Sequence, residues 1–252
     1  MSTSSPSPEA SQSSRGAVSP KGPSGPRSRR ERPAKSALSL DAIVEAAVRI
    51  MRAEGLQRVT MRRLAKELDT GPASLYVYVA NTAELHAAIL EEFLGAVELG
   101  PAQEAGADGG DWCDRLVALL VSYTHVLFEH PSLAHSALVA RPAGPNYLAL
   151  VEAVLALLHE GGVPDGQAAW GVDVLLQVAT ATAAEQATRD ETVSADDEDQ
   201  ALIRSLHGVS AGTHPRIAAL GGDLYSGTPG QRIAWIFRAV INGTLNTPRT
   251  PA

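Results

Sequence analysis

One cysteine occurs in 252 residues, and aromatic side chains make up only 4% of the chain. Cys113 cannot close an internal disulfide, so a disulfide-stapled secreted scaffold is excluded and a reducing compartment is expected. No apolar run comes near the ~20 residues that a bilayer crossing requires; the stretch 151–158, itself interrupted by Glu152, is among the longest. The N-terminal stretch lacks an apolar signal core, which leads to a cytoplasmic, membrane-free expectation. Catalytic signatures are missing as well: there is no G-x-S-x-G elbow, no H-E-x-x-H pair and no Gly-rich phosphate loop between strand and helix. His125, Glu129, His130 and His135 come nearest to a metal constellation, but the spacing of the histidines leaves one helix face and Pro131 interrupts them. No catalytic residue, cofactor or metal is therefore expected. Cys113, beside Trp112, reads as a core residue rather than a redox sensor.

What is present is an ordinary globular composition, 44% hydrophobic and 19% charged, with an uneven charge. The net −7 divides into +5 over residues 1–36, −2 over 37–93 and −10 over 94–252. Residues 1–36 are mostly Ser, Pro, Gly and Arg, too poor in apolar side chains to offset their ordering entropy, so they read as a disordered basic arm. Such an arm can follow a polyanion or merely keep a chain soluble.

From Leu38 the pattern becomes helical, with no convincing strand alternation anywhere. Leu40, Ile43, Ala47, Ile50 and Met51 share one face of a first helix, with Ser39 placed to cap it and Gly55 to end it. Thr60 then caps a second helix with Met61, Leu64, Ala65 and Leu68 inward. Asp69-Thr70-Gly71-Pro72 is turn chemistry, and Pro72 suits the first turn of a third helix carrying Leu75 and Val79. Asn81 or Thr82 caps a fourth, along which Leu85, Ile89, Leu90, Phe93 and Val97 are spaced. Two helices joined by a turn of about four residues, after a first supporting helix, match the helix-turn-helix layout.

The stretch LDAIVEAAVRIMRAEGLQRVTMRRLAKELDTGPASLYVYVANTAELHAAIL, with its EGL…VTMRRLA opening and SLYVYV…N…EL close, resembles the DNA-binding domain of the tetracycline-repressor (TetR) family over residues 38–93. The resemblance implies an all-α protein: a three-helix DNA-binding domain over 37–93, its fourth helix a connector, and a helical effector-binding and dimerisation domain over 94–252. Carried over, the family's contacts place Thr60 and Tyr78 on phosphate, Arg62 on a base edge or nearby phosphate, and Ser74 and Tyr76 in the groove. Tyr76 also serves as an anchor of the recognition helix against backbone. Thr70, Gly71, Pro72, Ala73 and Ser74 form the exposed part of that helix, a set with thin capacity for bidentate base contacts. The sequence departs from the family at Asp69, where Gly is usual, and at Thr82, where a phosphate-gripping Lys is usual. Asp tolerates the left-handed turn better than most residues. Arg27, Arg29, Arg30, Arg32 and Lys35, just before the first helix, could compensate for the missing lysine along phosphates or a minor groove.

Beyond residue 94, helical patterns cover about 111–129, 132–139, 145–160, 165–188 and 229–245, while 189–213 reads as an acidic, mobile excursion. Helix 111–129 is apolar on two faces and must be largely surrounded by protein. An effector pocket is expected between 111–129, 145–160 and 165–188, with Trp112, Tyr123, Phe128, Tyr147 and Trp170 as aromatic walls and His125 and Gln177 as polar handles. The alternative is that these aromatics simply fill core. Few charges face inward, so the ligand should be an apolar, weakly polar organic molecule. The family's dimer layout falls on Val174 and Val178 of one helix and Ile236, Phe237, Val240 and Ile241 of the last.

The expected function is a homodimeric transcriptional regulator, a repressor released from a palindromic double-stranded operator by a small apolar effector. The alternative is a constitutive architectural DNA-binding protein without an effector.

Overall fold

The computed structural model describes residues 38–103, 111–140 and 142–249, and the arm residues Arg27, Arg29, Arg30, Arg32 and Lys35 lie outside them. All regular structure among the described residues is helical. Helix α1 (Leu40–Glu54) begins where the Ser39 hydroxyl accepts a hydrogen bond from the Ala42 amide at 3.2 Å, and stops at Gly55, whose φ of 88° suits a residue without Cβ. Its buried stripe includes Ile43, Ala47, Ile50 and Met51, while Leu40 stays exposed. A 3₁₀ turn (Leu56–Arg58) leads to α2 (Met61–Glu67), capped by Thr60 through the Arg63 amide at 3.1 Å.

The turn after α2 is a Schellman motif. Thr70 N–H donates to the Ala65 carbonyl at 2.8 Å and Asp69 N–H to that of Lys66 at 3.3 Å, with Asp69 itself at φ 47°. Helix α3 (Pro72–Leu75) follows with Gly71 as its N-cap, and its last residue, Leu75, is fully buried. It is shorter than the sequence suggests: Tyr76, Val77 and Tyr78 lie in the turn beyond it, which pulls Val79 inward. Helix α4 (Thr82–Leu94) starts at Asn81, whose side chain accepts from the Glu84 amide at 2.9 Å. Thr82 is therefore the first helical residue, and Val97 is buried beyond the helix end.

The remainder comprises α5 (Gly100–Gln103), α6 (Trp112–Phe128), α7 (Pro131–Ala137), α8 (Pro145–Glu160), α9 (Asp165–Glu191), α10 (Ala195–His207), α11 (Pro215–Leu220), a 3₁₀ turn (Gly221–Tyr225) and α12 (Pro229–Asn246). Helix α6 is the axle, packing against α5, α7, α8, α9 and α12. That explains why Leu116, Leu119 and Tyr123 are buried on one side and Val117, Leu120 and Thr124 on the other. Helix α9, about 40 Å long at 1.5 Å per residue, lies across α6, α7, α8 and α12. Its small residues permit that approach: Ala168, Ala179, Ala183 and Ala187 are buried, and a Cβ on Gly171 would collide with the Thr244 methyl of α12. Arg115 is also buried, with its guanidinium on the Glu160 carboxylate and on the Pro101 carbonyl at 3.1 Å, joining α6 to α8 and α5.

The acidic stretch 189–213, expected as a mobile excursion, contains α10. Asp196, Asp197 and Glu198 stand in its first turn and Arg204 and His207 in its last, the order that complements the helix dipole. Arg189 reaches from α9 to Asp199 at 2.7 Å. No residue from α10 to the 3₁₀ turn before α12 is buried.

Candidate DNA-reading head and effector cavity

The head presents α2, α3 and the turn after α3 on one surface. Thr60 uses its hydroxyl oxygen to cap α2, leaving the O–H free to donate outward. Two adjacent arginines have different fates. Arg63 is clamped between Glu54 at 2.7 Å and Glu67 at 2.8 Å. The hydrogen bond from Arg63 holds the Glu54 carboxyl below its ordinary pKa. Arg62, one position earlier, is exposed and makes no ion pair among the described residues, so its guanidinium is available to a base edge. Gly71, Ala73, Ser74 and Thr82 are exposed and Thr70 is half-buried.

The two tyrosines read as DNA contacts are held differently. Tyr78, expected on phosphate, donates its O–H to the Leu38 carbonyl at 2.7 Å. It ties the end of the recognition turn to the start of α1. Tyr76, expected in the groove and in part as an anchor, is 53% exposed, beside Val77 at 80%. Helix α3 ends at Leu75, so helical spacing no longer governs the directions in which these two side chains leave the backbone.

Behind the head, a cavity of about 110 Å³ is lined by Leu90, Tyr123, Ala137, Leu138, Ala140, Pro142, Tyr147, Asp173, Leu176, Gln177 and Thr180. It brings together three of the seven anticipated pocket residues, Tyr123, Tyr147 and Gln177. The other four are elsewhere. Trp112 lies flat against Gly161, where a Cβ would strike its indole. His125 is exposed and faces Glu129 at 3.6 Å. Phe128 packs against the core, and Trp170, two turns before Gln177 along α9, is 58% exposed beneath Arg249, 4.5 Å from its ring centroid. Asp173 and Thr180 were not anticipated, although their spacing from Gln177 puts all three on one side of α9. The Tyr123 hydroxyl meets Thr180 Oγ1 at 2.8 Å, and burial pushes its phenol pKa up. Leu90 differs from the other lining residues in belonging to α4, the helix that adjoins the head.

Of the four residues that come nearest to a metal constellation in the sequence, His130 has its ring 4.0 Å from that of Phe93 and His135 faces Thr188 at 2.9 Å.

The outer face of α9 and α12 leaves Trp170, Val174 and Trp235 exposed, with Val178, Ile236 and Val240 half-buried. Phe237 and Ile241, anticipated on a dimer surface, are fully buried inside the chain and have no area to offer a partner. They face the sides of α6 and α9 that α12 packs against, because a broad apolar stripe on a helix feeds the nearest core first. A groove of about 480 Å³ runs between α9 and α12, lined by Trp170, Val174, Val240 and Arg249 among others.

An all-helical chain that carries a helix-turn-helix head on a larger helical body is the class these features define. Residues 43–89 match the family described as bacterial regulatory proteins, tetR family, and residues 105–226 match the tetracyclin repressor-like C-terminal domain. A crystal structure of a transcription regulator from Streptomyces coelicolor is 56% identical with a TM-score of 0.69, covering 86% of this chain and all of that one. The Streptomyces coelicolor TetR family protein ActR, in complex with actinorhodin, is 33% identical with a TM-score of 0.71, covering 83% of this chain and 96% of that one. The HTH-type transcriptional repressor DrrR1 of Streptomyces coeruleorubidus is 37% identical over 131 residues, 52% of this chain and 47% of that protein. The match thus spans about half the length of that curated relative. The chain belongs to the TetR family of bacterial transcriptional regulators. No helix among the described residues is long and apolar enough to cross a membrane.

Proposed function

We propose that the protein is a homodimeric, effector-released repressor that reads a palindromic operator in the cytoplasm and carries no catalytic role. The observation that carries the reading is Leu90: one helix, α4, packs on α1 of the head and supplies a wall of the cavity. A guest in the cavity therefore touches the element that sets the head's position. DNA contact falls to Arg62, Thr60, Ser74, Tyr76 and Thr82, with Arg29, Arg30 and Lys35 of the arm. Dimerisation uses Trp170, Val174, Val178, Trp235 and Val240, whose apolar area the single chain leaves uncovered. Two heads on a two-fold axis then match two half-sites.

The effector is a neutral or weakly polar aromatic molecule. Tyr123, Tyr147, Gln177 and Thr180 supply hydrogen bonds, Leu90, Leu138 and Leu176 supply apolar walls, and among the described lining residues the charged group is the Asp173 carboxylate, which disfavours an anionic guest. That ActR forms a complex with actinorhodin supports an organic effector in this family of folds. At about 110 Å³ the cavity is well below the ~300–1,000 Å³ usual for ligand sites, so binding must widen it. That requirement gives the two states between which an effector can discriminate. The test is a thermal-shift screen of aromatic compounds, actinorhodin included, followed by displacement of bound DNA. At a hundredfold excess over Kd a ligand raises stability by about 2.7 kcal/mol, and the same ligand should release DNA. Stabilising compounds that leave DNA bound would favour an architectural DNA binder.

A further inference from the structure

Helix α8 has no cap of its own. Its N-cap is Gly144, with no side chain to accept a hydrogen bond, and Pro145 follows at the first helical position. Two backbone donors, Asn146 and Tyr147 N–H, are left at the positive end of the helix dipole. Glu91 satisfies both from α4. Its Oε1 accepts from Asn146 N–H at 2.5 Å and its Oε2 from Tyr147 N–H at 3.2 Å, while the Asn146 side-chain amide donates to the Glu91 carbonyl at 2.9 Å. The approach requires Gly144, because a Cβ there would overlap the Glu91 carboxylate.

This clamp shares backbone with the cavity. Leu90, which precedes Glu91, and Tyr147, whose own amide is clamped, both line the cavity. A guest that pushes Tyr147 or Leu90 outward shifts donors and acceptor against each other, and carboxylate hydrogen bonds at a helix end weaken steeply with misalignment. We propose that Glu91 is the positioning residue through which the cavity and the reading head sense each other, the clamp being closed when α4 holds the head on DNA and strained when the cavity is filled. The proposal rests on the protein being an effector-released repressor. Linkage makes it reciprocal, so DNA must tighten the clamp as an effector loosens it.

The experiment uses the full chain, its Glu91→Gln and Gly144→Ala variants, and a duplex enriched by the wild-type protein from a random DNA pool. Amide hydrogen exchange at Asn146 and Tyr147 is measured with and without the duplex. Couplings between sites usually span about 5- to 150-fold, so the duplex should slow exchange at both amides about ten-fold in the wild type. In both variants duplex binding should persist while the DNA-induced change falls below about two-fold. Gly144→Ala keeps the carboxylate and its charge, separating the clamp from electrostatics. A cap of purely local importance would raise exchange in the variants but leave the DNA-induced factor intact, and that result overturns the proposal. A wild-type chain that binds the duplex without any change at these amides overturns it too, whereas one that enriches no duplex removes the repressor reading itself.

Discussion

The Tyr78 hydroxyl lies 2.7 Å from the carbonyl oxygen of Leu38, forty positions earlier in the chain. The bond fastens the turn after α3 to the point at which the chain enters α1, so the recognition surface and the root of the basic arm are held by one phenol. Tyr78→Phe should lower unfolding free energy by about 0.5–1 kcal/mol, the lower part of the range for a net hydrogen bond because the group is partly exposed. Urea denaturation checks this. An unchanged midpoint would mean that the tyrosine does not hold the head.

Asp69 sits at φ 47° in the position where a Schellman turn favours glycine. Asp69→Gly relieves left-handed strain but removes the side chain's own interaction and loosens the unfolded chain by about 0.4–1 kcal/mol, so the urea midpoint should not rise and the slope of the transition should stay unchanged. A rise in the midpoint would show that the backbone at Asp69 costs more than its side chain contributes.

Arg62 and Arg63 are neighbours with separate duties, which makes them a matched pair. Arg62→Ala should cost about 1–3 kcal/mol on the preferred duplex and much less on random DNA. Arg63→Ala should act mainly on folding, by breaking the ion pairs to Glu54 and Glu67. Removal of residues 1–36 tests the arm separately: for every phosphate that the arm neutralises, the log–log salt dependence should flatten by about 0.9. Equal losses from Arg62→Ala on both DNAs in a binding titration would assign that residue to phosphate.

Val174 is 42% exposed in the single chain, so an arginine there need not disturb the protomer. In the proposed dimer, Val174→Arg buries unpaired charge and should shift the protein to monomers in sedimentation. A folded variant that still sediments as a dimer would move the interface elsewhere.

Local chemistry makes much of the head legible in the sequence. Ser39, Thr60 and Asn81 are capping residues that act within three positions, and Leu64, Leu75 and Leu85 are buried where helical spacing puts them. The cavity is legible only in part. Tyr123 and Tyr147 arrive in it, but Trp112 and Trp170, equally aromatic, lie instead against Gly161 and Arg249. Which side of a two-faced helix meets a cavity depends on partners distant in the chain, and periodicity carries no information about them. Phe237 and Ile241 illustrate the same point, since an apolar stripe does not state whether its partner is this chain or another. Glu91 is invisible in the sequence because its role lies in the backbone donors of Asn146 and Tyr147, which have no sequence signature.

The most direct test of operator reading by a dimer is selection of bound sequences from a random duplex pool by the full-length protein. A dimeric operator reader predicts enrichment of a two-fold symmetric sequence, with half-sites spaced by about one helical turn of DNA or a multiple of it. Specific binding should exceed binding to the unselected pool by at least about a thousandfold. A pool that returns without symmetry, bound no more tightly than at the start, would contradict it.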